Sequence, residues 1–382
     1  MMHQNYKHGY YSVGDRRYLN KLQAVRDAVS IGHWVHWNFH DEEFGQYSWN
    51  LEPEYDLDYY YSKRAQHIRE TYNHVAVEFS GGADSWNLLY YFCKNNYSVD
   101  TVIHRYASEI VAGKYNLAPE NQWAEGKYQA WPSFQYLKEL DPKLKWVTRE
   151  IVKPIVDGWT NASVDFEKQN NLHAGSLLKI HTTKSLRELG MPALPSTAVV
   201  YGVDKPIIEL IDNKFYLVFY DFPLINRAVY DNQLLGSNYV SDVLFYWSAD
   251  SIDLLAKQAH LIVNYFKNNT DQLYLLDKTQ AQKNKTQYLN VINQIIYPEF
   301  KPIWQTQKPT GLFEMSHESW FTQNQSIPGS TKWHETMNNF SNILHHTVKG
   351  TGFEKFVHCD VNSRYSILAA CPSKKYYIGD LH

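Results

Sequence analysis

Short apolar runs alternate with segments of helical spacing through the middle of the chain. Runs rich in β-forming residues predict four strands, at 74–79, 99–104, 145–152 and 197–201. Between them, apolar residues at helical spacing predict three helices, from Ser85 to the Asn95-Asn96 pair, over 125–140, and over 176–189. This order predicts an α/β fold, a Rossmann-like, doubly wound parallel sheet with helices on both faces.

The segments on either side of this region have a different character. Residues 1–73 form a predicted N-terminal extension, with helices at 16–31 and 57–72, and residues 74–225 form the predicted α/β domain. From 226 to 382 we expect a mostly helical C-terminal domain, with helices at 250–267, 271–296 and 330–348. It ends in a predicted hairpin, YSILAACPSKKYYIG, that turns at Pro372-Ser373.

Composition argues against several classes of protein. The 382 residues carry a formal net charge of −3, so no overall positive field attracts nucleic acid. Three cysteines, Cys93, Cys359 and Cys371, form no CxxC pair, which argues against a disulfide framework or a thiolate zinc site and favours a reducing, cytoplasmic location. Because no signal-peptide-like run and no apolar stretch of about 20 residues is present, we expect no membrane association.

The candidate chemistry lies in Ser80-Gly81-Gly82-Ala83-Asp84-Ser85, between the first predicted strand and its helix. The two glycines let the main chain turn tightly and approach a ligand closely. The start of the helix offers unpaired N–H groups at the positive end of its dipole, which together make an anion site. Ser80 and Ser85 add hydroxyl groups at the sheet edge where doubly wound folds bind ligands.

This loop resembles that of the PP-loop ATP pyrophosphatases, in which SGGxDS follows a hydrophobic strand. The resemblance covers roughly residues 74–206 and is sharp over 80–85. The superfamily has the adenine nucleotide alpha hydrolase-like fold and includes asparagine, GMP and NAD synthetases, deazaguanine nitrile synthase, tRNA thiolases and phosphosulfate reductases. The resemblance implies that the loop holds the β- and γ-phosphates of ATP, which leave together as pyrophosphate. It also implies that adenine lies against the end of the second strand, at Ile103, His104, Arg105 and Tyr106.

A second polar segment, Tyr201-Gly202-Val203-Asp204-Lys205-Pro206, follows the fourth strand at the same sheet edge. In PP-loop synthetases a glycine-acidic segment here carries a magnesium-binding carboxylate, so the resemblance implies Mg²⁺ held by Asp204 together with Asp84. Magnesium typically uses one or two carboxylates plus phosphate oxygens. Lys205 would neutralise charge on the departing pyrophosphate. A plain Asp-Lys-Pro turn is the structural alternative, and both interpretations stay open.

These residues predict an adenylate-forming ligase that makes a C–N bond. A substrate oxygen attacks the α-phosphorus of ATP, pyrophosphate leaves, and an amine or ammonia then attacks the adenylate. Positioning and charge stabilisation do most of the work, with Asp84, Asp204 and Lys205 as the predicted catalytic residues. Because Met2 and His3 occupy the region where glutamine-dependent synthetases carry a nucleophilic cysteine, no fused glutaminase domain is expected. The acceptor, a small molecule or a nucleobase, and the oligomeric state, a homodimer included, stay open.

Two other functions stay open. A phosphosulfate reductase-like or sulfur-transfer enzyme would need a reactive cysteine of low pKa near the loop. The third hypothesis is a nucleotide-binding interaction module that has lost catalysis, although the intact Ser80, Asp84 and Ser85 argue against it.

Charged residues outside the two loops are weaker candidates. Lys257 and His260, three residues apart on one helix, face either the cleft or solvent, and solvent is favoured. Lys374 and Lys375 either fold over the phosphates or are exposed. Glu78, at the end of the first strand, either pairs with a nearby base or reaches the ligand, and pairing is favoured.

Overall fold

The apolar runs of the sequence form strands and the segments of helical spacing form helices. The computed structural model describes residues 8–19, 21–106, 126–150, 196–221, 241–277, 281–303 and 371–382, with positions 326, 328, 331, 332 and 335. Its strands are β1 (Tyr10–Val13), β2 (Arg16–Tyr18), β3 (His36–Asn38), β4 (His74–Glu78), β5 (Thr101–Tyr106), β6 (Trp146–Glu150), β7 (Thr197–Tyr201), β8 (Ile207–Ile211), β9 (Lys214–Tyr220), β10 (Ser241–Leu244) and β11 (Pro372–Asp380).

The α-helices in the described residues are α1 (Lys21–Ile31), α2 (Asp41–Gly45), α3 (Leu57–Thr71), α4 (Ala83–Lys94), α5 (Trp131–Leu140), α6 (Ile252–Asn268) and α7 (Ala281–Ile296). A π-helix over Gly126–Ala130 leads directly into α5, and 3₁₀-helices over Ala249–Ser251 and Thr270–Leu276 flank α6. No helix among the described residues is long and apolar enough to span a membrane.

Five strands form one parallel sheet in the order β10-β7-β4-β5-β6. From β4 the chain moves outward through α4, β5, α5 and β6, and it later adds β7 and then β10 on the other side of β4. The strand order therefore reverses between β4 and β7, which is where open α/β sheets bind their ligands. The architecture is α/β and is compatible with a Rossmann-like fold.

Both faces of the parallel sheet are buried at its centre. Successive side chains of β4 point to opposite faces. Val75 and Val77 belong to the main hydrophobic core together with residues of α4, whereas Ala76 forms a second buried cluster with Ile103 and Val199. Burial on both faces is typical of parallel strands and explains why these strands are apolar throughout.

A second, antiparallel sheet has the order β11-β9-β8. β8 and β9 form a hairpin across Asp212 and Asn213, whose φ angles of 48° and 60° are left-handed, a conformation that Asp and Asn tolerate. β11 pairs along β9 from Pro372 opposite Tyr220 to Asp380 opposite Lys214. The C-terminal strand therefore packs onto the region that follows β7.

The N-terminal extension packs on the same region. β2, β1 and β3 form a three-stranded antiparallel sheet. After β3, the ring of Phe39 lies 5.2 Å from that of Phe219 and 6.0 Å from that of Trp247. In β1, the Tyr11 hydroxyl donates to the buried Asp221 carboxylate at 2.7 Å. One buried hydrophobic cluster thus contains residues from all three predicted domains, whose boundaries at 73 and 225 stay predictions.

Most predicted elements that fall on described residues are confirmed. The strands at 74–79, 99–104, 145–152 and 197–201 and the helices at 57–72 and 250–267 match the observed bounds within two residues at each end. The helix over 125–140 is confirmed as a π-helical turn continued by α5, with Pro132 in the first turn of α5. The helix predicted over 176–189 and most of that over 330–348 lie outside the described residues.

Three local expectations are wrong. Residues 16–18 form β2 instead of opening a helix, because a turn at Gly14 folds them back onto β1. The helix predicted over 271–296 is interrupted: a 3₁₀-helix ends at Leu276, and α7 begins at Ala281. The chain does not turn at Pro372-Ser373, because both residues belong to β11, which begins at Pro372 and shifts its register before Lys375.

The sequence pattern also missed strands. β8 and β9 were not predicted, and the parallel sheet gains a fifth strand, β10, from beyond the predicted boundary at 225. β10 has only four residues, Ser241–Leu244, and half of them are polar, so its apolar signal is weak. Between 249 and 296, most of the described residues are helical, as expected for the C-terminal region.

A buried arginine connects α3 to the end of β10. Arg64 is 2% exposed, and its guanidinium donates to the carbonyls of Phe245 at 3.0 Å and Leu244 at 2.8 Å. Burial lowers the pKa of Arg64 to about 10, so the side chain stays charged at neutral pH. Because buried carbonyl groups need donors, this contact holds the outermost strand of the sheet against α3.

We expect Arg64→Met to lower the free energy of unfolding by about 2–3 kcal/mol, because it removes the charged donor to two buried carbonyls. Urea unfolding measures the difference. The matched control is Arg16→Met, because the Arg16 side chain is 62% exposed and pairs with Asp27 at the surface. Equal stability of the two variants would contradict the role given to Arg64.

Candidate functional site

The Ser80–Ser85 loop lies at the carboxyl end of β4, and its last three residues, from Ala83 to Ser85, form the first turn of α4. Gly81 has a φ of +76°, a conformation that favours glycine. A Cβ at this position would also lie 2.5 Å from the Cα of Ala130, the last residue of the π-helix. Conformation and close packing both require glycine here, so the loop is pressed against the entry to α5.

The two serines of the loop hydrogen-bond to the loop itself. The Ser85 hydroxyl accepts the Ser80 N–H at 3.2 Å and donates to the Gly82 carbonyl at 3.2 Å. The Ser80 hydroxyl accepts the Gly82 N–H at 3.3 Å and lies 3.2 Å from the Ser85 hydroxyl. Ser80 is exposed whereas Ser85 is buried. Ser85 therefore shapes the turn from inside, and Ser80 is the serine that is open to solvent.

The first turn of α4 is suited to an anion. Gly82 is the N-cap residue, and the helix start has no side-chain capping hydrogen bond. The orphan N–H groups of a first helical turn and the positive end of the dipole favour negative charge. Within the described residues, the position beside β4 at the reversal of strand order is the one where an α/β sheet most readily binds a phosphate.

The loop after β7 packs directly on this helix start. A Cβ at Gly202 would lie 2.8 Å from the carbonyl carbon of Asp84 and 2.9 Å from the nitrogen of Ser85. Glycine therefore lets the two loops touch main chain to main chain. Lys205, three residues after Gly202, also lies at the first turn of α4, where it contacts Asp84.

The ammonium of Lys205 contacts both oxygens of the Asp84 carboxylate, at 2.5 Å and 2.6 Å. The Asp84 side chain is 27% exposed and that of Lys205 is 12% exposed, so the pair is partly shielded from water. The main-chain N–H of Lys205 also donates to Asp204 Oδ1 at 2.7 Å. The side chain of Lys205 thus pairs with Asp84, whereas its main chain contacts the neighbouring Asp204.

Two tyrosines complete the surroundings of Asp84. Tyr297, just after α7, donates its hydroxyl to Asp84 Oδ1 at 2.9 Å, and Tyr246, just after β10, donates to the main-chain carbonyl of Asp84 at 2.8 Å. Burial raises the pKa of both tyrosines well above the usual value, and the charge of Asp84 raises it further. Both phenols therefore stay protonated and serve as donors.

Gln129 supports the loop from the other side. Its amide nitrogen donates to the Gly81 carbonyl at 2.9 Å and to the Ser133 hydroxyl at 2.9 Å, and its amide oxygen accepts the Ile303 N–H at 3.1 Å. The residue is 6% exposed. It belongs to the π-helix, a conformation that is frequent at functional sites.

The residues predicted to meet adenine lie at the end of β5. Ile103 is buried in the second core cluster, and the ring of buried His104 stacks on Trp146 with its Nδ1 2.9 Å from the Phe79 carbonyl. Arg105 and Tyr106 continue the β5 backbone in register with β6. The assignment of adenine to this strand end stays a prediction.

One of the two predicted metal ligands, Asp84, has a cationic group beside it, and Mg²⁺ binding by Asp84 with Asp204 stays a prediction. Lys205 places its ammonium, a stand-in for a cation, on both oxygens of Asp84. The described residues contain no cluster of three or more carboxylate, histidine or cysteine ligands. A divalent ion would therefore need phosphate oxygens as further ligands, which is how Mg²⁺ usually binds with nucleotides.

The weaker candidates have structural partners. Lys257 donates to Glu52 at 2.7 Å, and the buried His260 contacts the Trp49 carbonyl at 3.0 Å, so both hold the segment before α3 and the expected solvated face is wrong. Lys375 pairs with the buried carboxylate of Glu209 at 3.0 Å.

Lys374, 67% exposed, lies 3.5 Å from Asp41. Glu78 is buried on the Ala76 face of β4.

No model of a known protein family matches the chain, and no curated protein sequence matches it significantly.

Sequence reasoning missed Gln129, Tyr246 and Tyr297. The chain has 30 tyrosines, so no single one stands out by type. Tyr297 lies in IIYPEF, where the proline marks the end of a helix but nothing indicates a polar partner. Only the fold brings these residues to the loop.

We expect Gly202→Ala to lower the free energy of unfolding by about 1–3 kcal/mol, because the added methyl overpacks the contact with the first turn of α4. Thermal and urea unfolding measure the change. Gly45→Ala is the matched control, since a Cβ there meets no atom within 4 Å. If Gly202→Ala were as stable as this control, the close approach of the two loops would be wrong.

Proposed function

We propose that the protein binds ATP at the Ser80–Ser85 loop, cleaves it between the α- and β-phosphates, and so activates a substrate oxygen as its adenylate. The product of the next step is a C–N bond, formed when an amine or ammonia displaces AMP. The proposal includes the adenine nucleotide alpha hydrolase-like form of the α/β fold and membership of the PP-loop pyrophosphatases.

The observation that carries this proposal is the meeting of two loops where the strand order reverses. The β4 loop offers a helix start and an exposed hydroxyl at Ser80, and the β7 loop offers the ammonium of Lys205. An anion-binding turn and a cation on neighbouring strands are what a pyrophosphate leaving group needs. The resemblance of the loop sequence to SGGxDS selects ATP among phosphate ligands.

In the proposed reaction, the substrate oxygen attacks the α-phosphorus while the bond from this atom to the bridging oxygen breaks. The electron pair of that bond leaves with pyrophosphate. The loop N–H groups, Ser80 and Lys205 stabilise the charge on the leaving group, and no side chain acts as nucleophile. Asp84 keeps Lys205 beside the loop before ATP binds.

Magnesium, when bound with ATP, would neutralise phosphate charge, and Asp84 and Asp204 are the residues that would hold it. Because Lys205 contacts both oxygens of Asp84, its ammonium has to move before a metal can take its place. If the ammonium of Lys205 moves from the Asp84 carboxylate to the pyrophosphate oxygens, it exchanges one anionic partner for another.

The acceptor in this proposal is a small molecule or a nucleobase, the protein acts in the cytoplasm, and a homodimer stays open. Sulfur chemistry is less well supported. Cys93 is buried in α4, and burial raises the pKa of its thiol to about 12, whereas a reactive cysteine needs a lowered pKa and access. Cys371 is also buried, and Cys359 lies outside the described residues.

The test is to incubate the protein with ATP, Mg²⁺ and a mixed pool of metabolites and nucleobases. We expect pyrophosphate and an AMP-linked product, detected by ³¹P NMR and mass spectrometry. Asp84→Asn should abolish pyrophosphate release with the melting transition retained. Lys205→Met should lower kcat/KM on the order of a hundredfold, because it removes a charge that stabilises the transition state.

Lys375→Met is the matched control, because it breaks a Lys–carboxylate pair with Glu209 that lies outside the two loops. It should release pyrophosphate at the wild-type rate. Release of phosphate in place of pyrophosphate would contradict the proposal. Tight ATP binding without turnover in any mixture would favour a nucleotide-binding interaction module.

A further inference from the structure

Tyr297 reaches the candidate site from outside the predicted α/β domain. It follows α7, is 1% exposed, and donates its hydroxyl to Asp84 Oδ1 at 2.9 Å. The ammonium of Lys205 lies 5.6 Å from the centre of the Tyr297 ring, within the range of a cation–π contact. One buried side chain therefore contacts both members of the Asp84–Lys205 ion pair.

The chain around Tyr297 is held by main-chain contacts. The Tyr297 N–H donates to the Asn293 carbonyl at 2.9 Å, and its carbonyl accepts the Phe300 N–H at 3.0 Å. The carbonyl of the preceding residue, Ile296, accepts the hydroxyl of buried Tyr61 at 2.6 Å. These hydrogen bonds hold the main chain that carries the Tyr297 side chain to Asp84.

The two oxygens of Asp84 have different partners. Lys205 contacts both oxygens, but Tyr297 contacts Oδ1 alone. Within the described part of the chain, Oδ2 has Lys205 as its donor. Without the ammonium of Lys205, Oδ1 would keep the hydrogen bond from Tyr297, whereas Oδ2 would have no donor among the described residues.

We propose that Tyr297 is a positioning residue for Asp84: it holds Oδ1 so that Oδ2 is presented to the divalent cation that accompanies the nucleotide. This inference rests on the proposed function. It assigns a role in the site to a residue of the C-terminal region that no motif marks.

The sharpest variant is Tyr297→Phe, which keeps the ring, its packing and its face toward Lys205 and removes only the hydroxyl. The matched control is Tyr11→Phe, which removes a hydroxyl that donates to another buried carboxylate, Asp221, at 2.7 Å. Binding of Mn²⁺ is followed by electron paramagnetic resonance in the presence of α,β-methylene-ATP, which permits no turnover. Binding of this analogue is measured by calorimetry, and thermal unfolding of each protein is measured alongside.

We expect Tyr297→Phe to weaken Mn²⁺ binding to the nucleotide complex about tenfold, the effect of losing one hydrogen bond to a charged group. Tyr11→Phe should bind Mn²⁺ as the wild-type protein does. Mn²⁺ binding by Tyr297→Phe at the wild-type affinity would overturn the inference and leave the proposed function standing.

A wild-type protein that binds no nucleotide overturns the proposed function and this inference together. If Tyr297→Phe loses Mn²⁺ binding only because its melting transition is lost, the hydroxyl is structural and the positioning role is refuted.

Discussion

The carboxylate of Asp84 is the constraint around which the site is organised. A partly buried negative charge is stable only where donors surround it, and the start of a helix adds a favourable dipole. Here the donors come from the loop after β7 and from the end of α7, and a tyrosine after β10 binds the main chain of the same residue. Three segments far apart in sequence therefore have to meet at the first turn of α4.

The local parts of this arrangement follow from the sequence. The apolar run of β4, the paired glycines and the helix of α4 are neighbours in the chain, so their joint conformation depends on short-range preferences. Gly81 has the left-handed φ that glycine tolerates, and Gly202 allows the contact between the loops. The parallel strands around them could be predicted for the same reason, since each is a short apolar run between turn signals.

The parts that depend on distant pairing could not be predicted. β10 is short and half polar, and it is recognised as a strand only because it pairs with the edge of β7. The sequence around Lys257 and His260 is typical of a solvated helix face, but in the fold the segment before α3 covers both residues. Tyr297 and Tyr246 are two of many tyrosines, and their importance comes from the carboxylate that they meet. Periodicity records which side of an element is buried but not what it is buried against.

The pairing of β11 with β9 has a consequence for how the protein is made. The Asp221 carboxylate, at the end of β9, accepts the N–H of Cys371 at the start of β11 across a separation of 150 residues. During synthesis, β9 and its first partner β8 therefore emerge long before β11, and closing so long a loop slows folding. Until β11 arrives, β9 presents an unpaired edge, the kind of surface through which nascent chains associate wrongly. Molecular chaperones that shield exposed strand edges would matter most in that interval.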